Sequence, residues 1–163
     1  MSALDRTDRA ILALMQKDAR RSNKELAAAV GLAASTCSER VRRLEESGVL
    51  RGATADVDPA ALGVGLRAMF AIRLRRHTAS EVDTFREHAI AMPEVITVSH
   101  VTGANDFLVQ VVVRDAGHLR DLAVAGFTSL PEVAHIETSL IFEYVDKRGL
   151  PDLTLTRDGS TGS

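Results

Sequence analysis

The sequence predicts an α+β protein: three N-terminal helices arranged as a helix-turn-helix, followed by a β-α-β-β-α-β ferredoxin-like sandwich. Three observations predict it. Apolar residues recur at helical spacing through the first 47 residues and alternate one by one after residue 64. Charge is segregated: residues 1–52 hold ten Lys and Arg against seven Asp and Glu, a net of +3, while the remainder holds ten against fifteen, a net of −5. The tetrapeptides MPEV at 92–95 and LPEV at 130–133 each close a helical pattern and open an alternating one, which marks two βαβ halves.

Composition narrows the class before any motif is considered. Hydrophobic residues make up 45% of the 163, and no apolar run approaches the ~20 residues that would span a bilayer, so a soluble globular chain with no membrane partner is expected. The start, MSALDRTDRA, carries charge inside its first helical pattern and has no secretory character. The single cysteine, Cys37, excludes an internal disulfide framework and fits a reducing compartment, which makes the cytoplasm the expected location. A basic first third beside an acidic remainder suggests that the first segment meets a polyanion.

The first helix is expected over residues 5–17, with Leu4, Ile11, Leu12, Leu14 and Met15 at helical spacing and Asp5 and Asp8 near its positive end. Ser22 and Glu25 form a capping box for a short second helix that Gly31 stops. The third helix spans 34–47, with Cys37, Val41 and Leu44 on one stripe and Gly48 closing it. Opposite that stripe lie Ser35, Thr36, Ser38, Glu39, Arg42 and Arg43, a set able to bond base edges and phosphates. Arg20, Arg21 and Lys24 gather at the start of the second helix, where free N–H groups also favour phosphate. The run GVLRGATADVD then alternates weakly and reads as a short hairpin or wing, and residues 53–63 form the linker.

Beyond the linker, Leu66, Ala68, Phe70, Ile72 and Leu74 form the buried face of a first strand. A helix over 80–91 is expected, with Ser80 as its cap and Val82, Phe85, Ala89 and Ile90 inward. VITVSHV and FLVQVVV are strands, 116–129 is a helix, and HIETSLIFEYV is a long last strand with Ile136, Thr138, Leu140, Phe142 and Tyr144 on one face. Met69, Ala71, Val98, Val109 or its neighbours, and Ile141 are left on the sheet face away from the helices. An apolar face of that extent predicts a dimer formed sheet to sheet. The tail 151–163 is polar, and disorder is expected there.

The runs LDRTDRAILALMQKDARRSNKELAAAVGL, STCSERVRRLEESGVLRG, VTGANDFLVQVVV and LPEVAHIETSLI carry a resemblance, over residues 4–150, to the Lrp/AsnC ("feast or famine") transcription regulators. The resemblance implies a winged helix-turn-helix (1–52), a connecting strand (53–63) and a ligand-binding ferredoxin-like, or RAM, domain (64–150). It further implies homodimers that associate into octamers or related rings, double-stranded DNA as partner, and a small effector, foremost an amino acid. Carried over by position, the DNA-binding residues are Arg21, Ser22, Lys24, Ser35, Thr36, Ser38, Glu39, Arg42 and Arg43. The effector residues are Gly103, Ala104, Asn105, Asp106, Phe107, Thr138 and Ser139. In such a loop Gly103 permits close backbone approach and Asp106 pairs with an ammonium group.

Two departures from the family pattern stand out. Ala33-Ala34 replaces the usual Ser-Pro at the start of the third helix, so Ser35 is expected to take over part of the capping. Ala104 and Asn105 stand where many members carry an acidic and an aromatic residue. Two rival classes remain at this level: an architectural DNA-binding protein without an effector, and a small ferredoxin-like enzyme. The chain shows no nucleophile-base pair, no catalytic residue, no cofactor motif and no histidine spacing suited to a metal, although His100 and His135 lie on strands that could be neighbours. Cys37, on an apolar stripe, reads as a small buried hydrophobe. Arg67, Arg73, Arg75 and Arg76 read as a solvated edge.

Overall fold

The computed structural model describes residues 4–147 and 149–154. The chain divides into two compact units, one running from the start of the chain to Ala55 and joined by the segment from Val145 onward, the other Asp56–Tyr144.

In the first unit, α1 (Arg6–Lys17), α2 (Asn23–Val30) and α3 (Ala34–Glu46) enclose a small core of Ile11, Leu26, Ala27, Cys37, Val41 and Leu44. Each boundary has a local cause. Asp5 caps α1 through a capping box with Asp8, and Ser22 caps α2 through one with Glu25. Gly31 ends α2 in the left-handed region at φ +69°, which turns the chain directly into α3. Cys37 is fully buried, and burial pushes its thiol up from the ordinary value, as expected of an inert core residue. The expected hairpin or wing is not formed: residues 47–58 contain no strand, and a 3-10 turn, Pro59–Leu62, follows. Val49 and Leu50 fold back onto the helical core, and among the described residues no third strand pairs with the glycine-punctuated remainder, without which a two-stranded ribbon is not stable. Of the tail, Pro151–Thr154 is described, and Asp152 and Thr154 both bond Arg9 of α1; residues 155–163 lie outside the described residues.

The second unit is a four-stranded antiparallel sheet in the order β2-β3-β1-β4, built from β1 (Leu66–Leu74), β2 (Val95–His100), β3 (Phe107–Val113) and β4 (Val133–Leu140). Its helices α4 (Ala79–Ala91) and α5 (Ala116–Asp121) complete the β-α-β-β-α-β order of the ferredoxin-like sandwich. The register places Ala68, Phe70 and Ile72 opposite Val111, Val109 and Phe107, so one face of each strand enters the core. Phe70, Phe85, Phe107 and Phe127 are fully buried there, with ring centroids 4.6–6.1 Å apart.

The sheet corrects several expectations. Val109 is fully buried on the helix-covered face, with Val98 opposite it, so neither belongs to the open face. The open face carries Met69, Ala71, Leu108, Val112 and Ile141, half-buried, around a buried Gln110. β4 ends at Leu140 rather than continuing to Tyr144. Its register sets Leu140 opposite Ala68, only two residues from the start of β1, so after the Ile141 N–H bonds the Arg67 carbonyl the chain has no strand left to pair with. Tyr144 instead lays its ring 4.0 Å from the Arg67 guanidinium, which removes Arg67 from the simple solvated edge. Thr78, not Ser80, caps α4, by accepting the Glu81 N–H, and Ile90 points outward at 63% exposure. The stretch 116–129 is not one α-helix: α5 passes at Leu122 into a π-helical segment, Leu122–Thr128. The wider turn places Leu122 and Phe127, five residues apart, on one buried face. At its inner side Gly126 leaves room for Met92, whose Cε lies 2.4 Å from where a Cβ would stand, and the Gly126 carbonyl meets His88 Nε2 at 2.7 Å.

Candidate nucleic-acid interface and effector loop

The tight turn at Gly31 presents α3 with its apolar stripe inward and the opposite face to solvent. Ser35, Thr36, Glu39, Arg42 and Arg43 are exposed, and Ser38 is half-buried. Ala33 is the N-cap of α3 and no side chain caps it; Ser35 does not take the role, because it lies inside the first turn rather than before it. The first N–H groups of α3 are thus open beside two hydroxyls. Ser22 is committed to α2, its Oγ donating to Glu25 at 2.7 Å and accepting the Glu25 N–H at 3.3 Å. Lys24 is exposed. Arg21 is half-buried, with a buried Nε that has no hydrogen-bond partner among the described residues.

The two predicted arginines of α3 differ. Arg42 is gripped on the solvent face by Glu39 and Glu46, with its Nε 3.2 Å from Glu39. Such exposed pairs are worth little in water and yield readily to a phosphate or base. Arg43 instead reaches back to α1, where its Nη2 lies 2.9 and 2.8 Å from the two carboxylate oxygens of Asp8. Arg40 joins them, bonding Asp8 at 2.8 Å and also Asp5. Asp8 is only 2% exposed, so its charge is held in the protein by these two guanidinium groups. The Asp8 N–H, and then Arg40, hold the Asp5 carboxyl below its usual range. That contribution is present above the ordinary value and is lost as pH falls through the lowered one.

Sequence reasoning missed Asp8 and Arg40 as a network. The signal was there: Asp8 stands between Leu4 and Ile11 on the apolar stripe of α1, where a carboxylate can stay only if something neutralises it.

In the second unit the loop VTGAND joins β2 to β3 at one end of the sheet. Gly103 takes φ +122°, a backbone region closed to most side chains. Asp106 is only 15% exposed, and both its oxygens are engaged: Oδ2 accepts the Leu74 N–H at 2.7 Å, and Oδ1 lies 2.8 Å from His77 Nδ1. Its own N–H donates to the Ile72 carbonyl, and its carbonyl accepts from Val101. Asp106 therefore ties the loop to the end of β1. The N–H groups of Gly103, Ala104 and Asn105 have no partner among the described residues, while Phe107 is fully buried in the core. Thr138 and Ser139 fall on opposite faces of β4, Thr138 opposite Phe70 and Ser139 opposite Met69, so within one sheet they do not line one surface. His100 and His135 lie on β2 and β4, the two edges of the sheet, and are not neighbours. Among the described residues no three His, Cys, Asp or Glu side chains gather to hold a metal ion, and no helix is long and apolar enough to cross a membrane.

Residues 4–51 match the family profile described as winged helix-turn-helix DNA-binding, and residues 67–151 match that described as the Lrp/AsnC ligand binding domain. The chain belongs to the Lrp/AsnC family. Among its relatives, the HTH-type transcriptional regulator AldR of Mycolicibacterium smegmatis is 43% identical over 142 residues, 87% of this chain and 83% of that protein. The leucine-responsive regulatory protein of Rhizobium meliloti is 34% identical over 87% of this chain and 91% of its own length. Among solved structures, a transcriptional regulator of Neisseria meningitidis in complex with L-Met superposes with a TM-score of 0.87 at 27% identity, covering 94% of this chain and 99% of that one. The Lrp/AsnC assignment makes the first unit a DNA-binding helix-turn-helix and the second a ligand-binding domain. The protein is a transcriptional regulator, in line with relatives that are regulators and not enzymes.

Proposed function

We propose that the protein is a cytoplasmic transcriptional regulator that lays α3 in the major groove and changes its DNA binding or assembly when an amino acid reaches its second domain. The observation that carries this reading is the exposed face of α3, where Ser35, Thr36, Ser38, Glu39 and Arg42 stand beside uncapped N–H groups. Arg42 supplies the mobile cation, Arg21 and Lys24 at the start of α2 take the flanking phosphates, and Ser22 joins them only as far as Glu25 releases its donors. Arg43 contributes to phosphate contact only as far as Asp8 releases it. Residues 1–52 carry the DNA contacts, 53–63 connect, and 64–150 sense the effector.

The amino-acid effector rests on the Neisseria meningitidis relative, which was solved with L-Met. In this chain the Gly103–Phe107 loop supports it through three free N–H groups that suit a carboxylate. Asp106 acts by fixing that loop, and Thr138 and Ser139 serve from different faces of β4. The half-buried open face, centred on Met69, Leu108 and Val112, supports a homodimer formed sheet to sheet, with association into octamers or related rings beyond it. Two recognition helices of one dimer would then meet half-sites ~10 bp apart or a multiple of that.

Arg42→Ala is expected to weaken operator binding at least about tenfold and to lower the salt slope by about one, with oligomer size unchanged. Fluorescence anisotropy over a salt series, run beside gel filtration, measures both, and wild-type affinity in this variant would refute the role of α3. A promoter-binding assay repeated with each of the twenty amino acids tests the effector. No change with any of them would favour the architectural reading.

A further inference from the structure

At the end of the sheet opposite the Gly103–Phe107 loop, an open cavity of about 360 Å³ lies beside the last residues of β3. The seven residues of β3 separate the two places by ~20 Å, at ~3.4 Å per residue. Leu62, Val64 and Val112 form its apolar wall, and Glu94, Arg114 and His118 supply its polar groups.

The polar groups are held in order. The Arg114 N–H donates to His118 Nδ1 at 3.4 Å, which leaves the proton on Nε2, 3.1 Å from Glu94 Oε1. The His118 and Glu94 side chains are 17% and 24% exposed, so the pair is partly withdrawn from water. The second Glu94 oxygen and the Arg114 guanidinium make no hydrogen bond among the described residues, although the Arg114 charge acts on the neighbouring Asp115 carboxyl. Just behind the lining residues the backbone is close-packed: a Cβ on Gly65, which does not itself line the cavity, would stand 2.1 Å from the Arg114 carbonyl oxygen. On the rim, Leu62 is 71% exposed, although it belongs to the folded turn Pro59–Leu62, whose end is fixed by Val64 N–H bonding the Pro59 carbonyl.

We infer that this cavity is a binding site for an α-amino acid with an apolar side chain, separate from the β2–β3 loop. The guanidinium of Arg114 takes the carboxylate, the free oxygen of Glu94 takes the ammonium, and the side chain covers Leu62 and Val64. One cation, one anion and an apolar wall suit a zwitterion better than an anion or a cation alone. The contrast with the loop adds weight, because both oxygens of Asp106 there are already engaged while Arg114 and Glu94 have capacity to spare. Leu62 lies at the end of the segment that leads back to the helix-turn-helix, so a side chain bound here would rest on the end of that segment. The inference rests on the amino-acid reading above.

Calorimetric titration of the intact chain with L-leucine and L-methionine tests it, with L-leucinamide and 4-methylpentanoate as probes lacking the carboxylate and the ammonium. Arg114→Ala and Glu94→Gln are each expected to raise the Kd at least about tenfold with the melting temperature of the free protein unchanged, and both one-charge probes should bind at least as weakly. Leucine affinity within about twofold of wild type in both variants overturns the inference. If that affinity is instead lost in Asn105→Ala, the loop reading stands alone. Heat from none of the twenty amino acids overturns the amino-acid reading itself, and this site with it.

Discussion

Asp8→Ala is expected to destabilise the helix-turn-helix unit by ~3 kcal/mol, at the lower end of what removing one partner from a buried ion pair costs. The lower end applies because Arg43 is half-exposed and can recover water, whereas Asp8, at 2% exposure, is the member that holds the network together. Three helix contacts depend on it: Arg40 and Arg43 bind α3 to α1 through its carboxylate, and its oxygen closes the Asp5 capping box. Urea unfolding followed by helical circular dichroism measures the loss. Operator binding should fall with stability, since α3 would no longer keep a fixed angle to α1. Tighter DNA binding with unchanged stability would show instead that Asp8 masks Arg43 and does not brace the recognition helix.

Phe127→Ala is expected to cost ~3–5 kcal/mol in the second unit, the range for deleting a fully buried aromatic side chain. Phe127 packs on Phe70 at 5.2 Å and on Phe85 at 6.1 Å, and its ring meets the edge of His88 at 6.3 Å. It is also the residue that the π-helical segment brings inward, so truncation removes the reason for the wider turn. The chain has no tryptophan, so calorimetry or circular dichroism rather than tryptophan fluorescence should follow the transition. A loss under about 1 kcal/mol would mean that the turn collapses onto the space and that Met92 refills it.

The helix-turn-helix and the sandwich were legible because each rests on short-range pattern. Ser22 with Glu25, Gly31 after Val30, and the alternation from Leu66 to Leu74 are local facts, and the structure reproduces all three. What went astray depended on neighbours far along the chain. The pattern leaves Val109 or its neighbours for the open face, and the neighbours Leu108 and Gln110 are the ones found there, because alternation gives two faces without saying which one the helices cover. The last strand stops short of the alternating pattern because its end is set by where β1 begins, some seventy residues earlier. The helix over 116–129 contains a π turn because Phe127 has to meet Phe70 and Phe85, a demand that helical spacing alone does not express.

The candidate site divides in the same way. Sequence picked out the exposed residues of α3 and the glycine-led loop, since residue type and spacing suffice to mark a polar helix face and a left-handed glycine. Which side chains are free to act was decided in three dimensions. Arg42 and Arg43 are adjacent and chemically identical, yet one lies among exposed glutamates and the other on a buried aspartate thirty-five residues away. Asp106, the expected ligand group, is spent on the Leu74 N–H and His77. By itself the sequence determined the family, through the runs that carry the resemblance, and the order of elements, which follows from local propensity and hydrophobic period. The tertiary structure alone decided which charges are already paired and which remain available, because a charge is neutralised by whatever lies within a few ångströms of it, however distant in the chain.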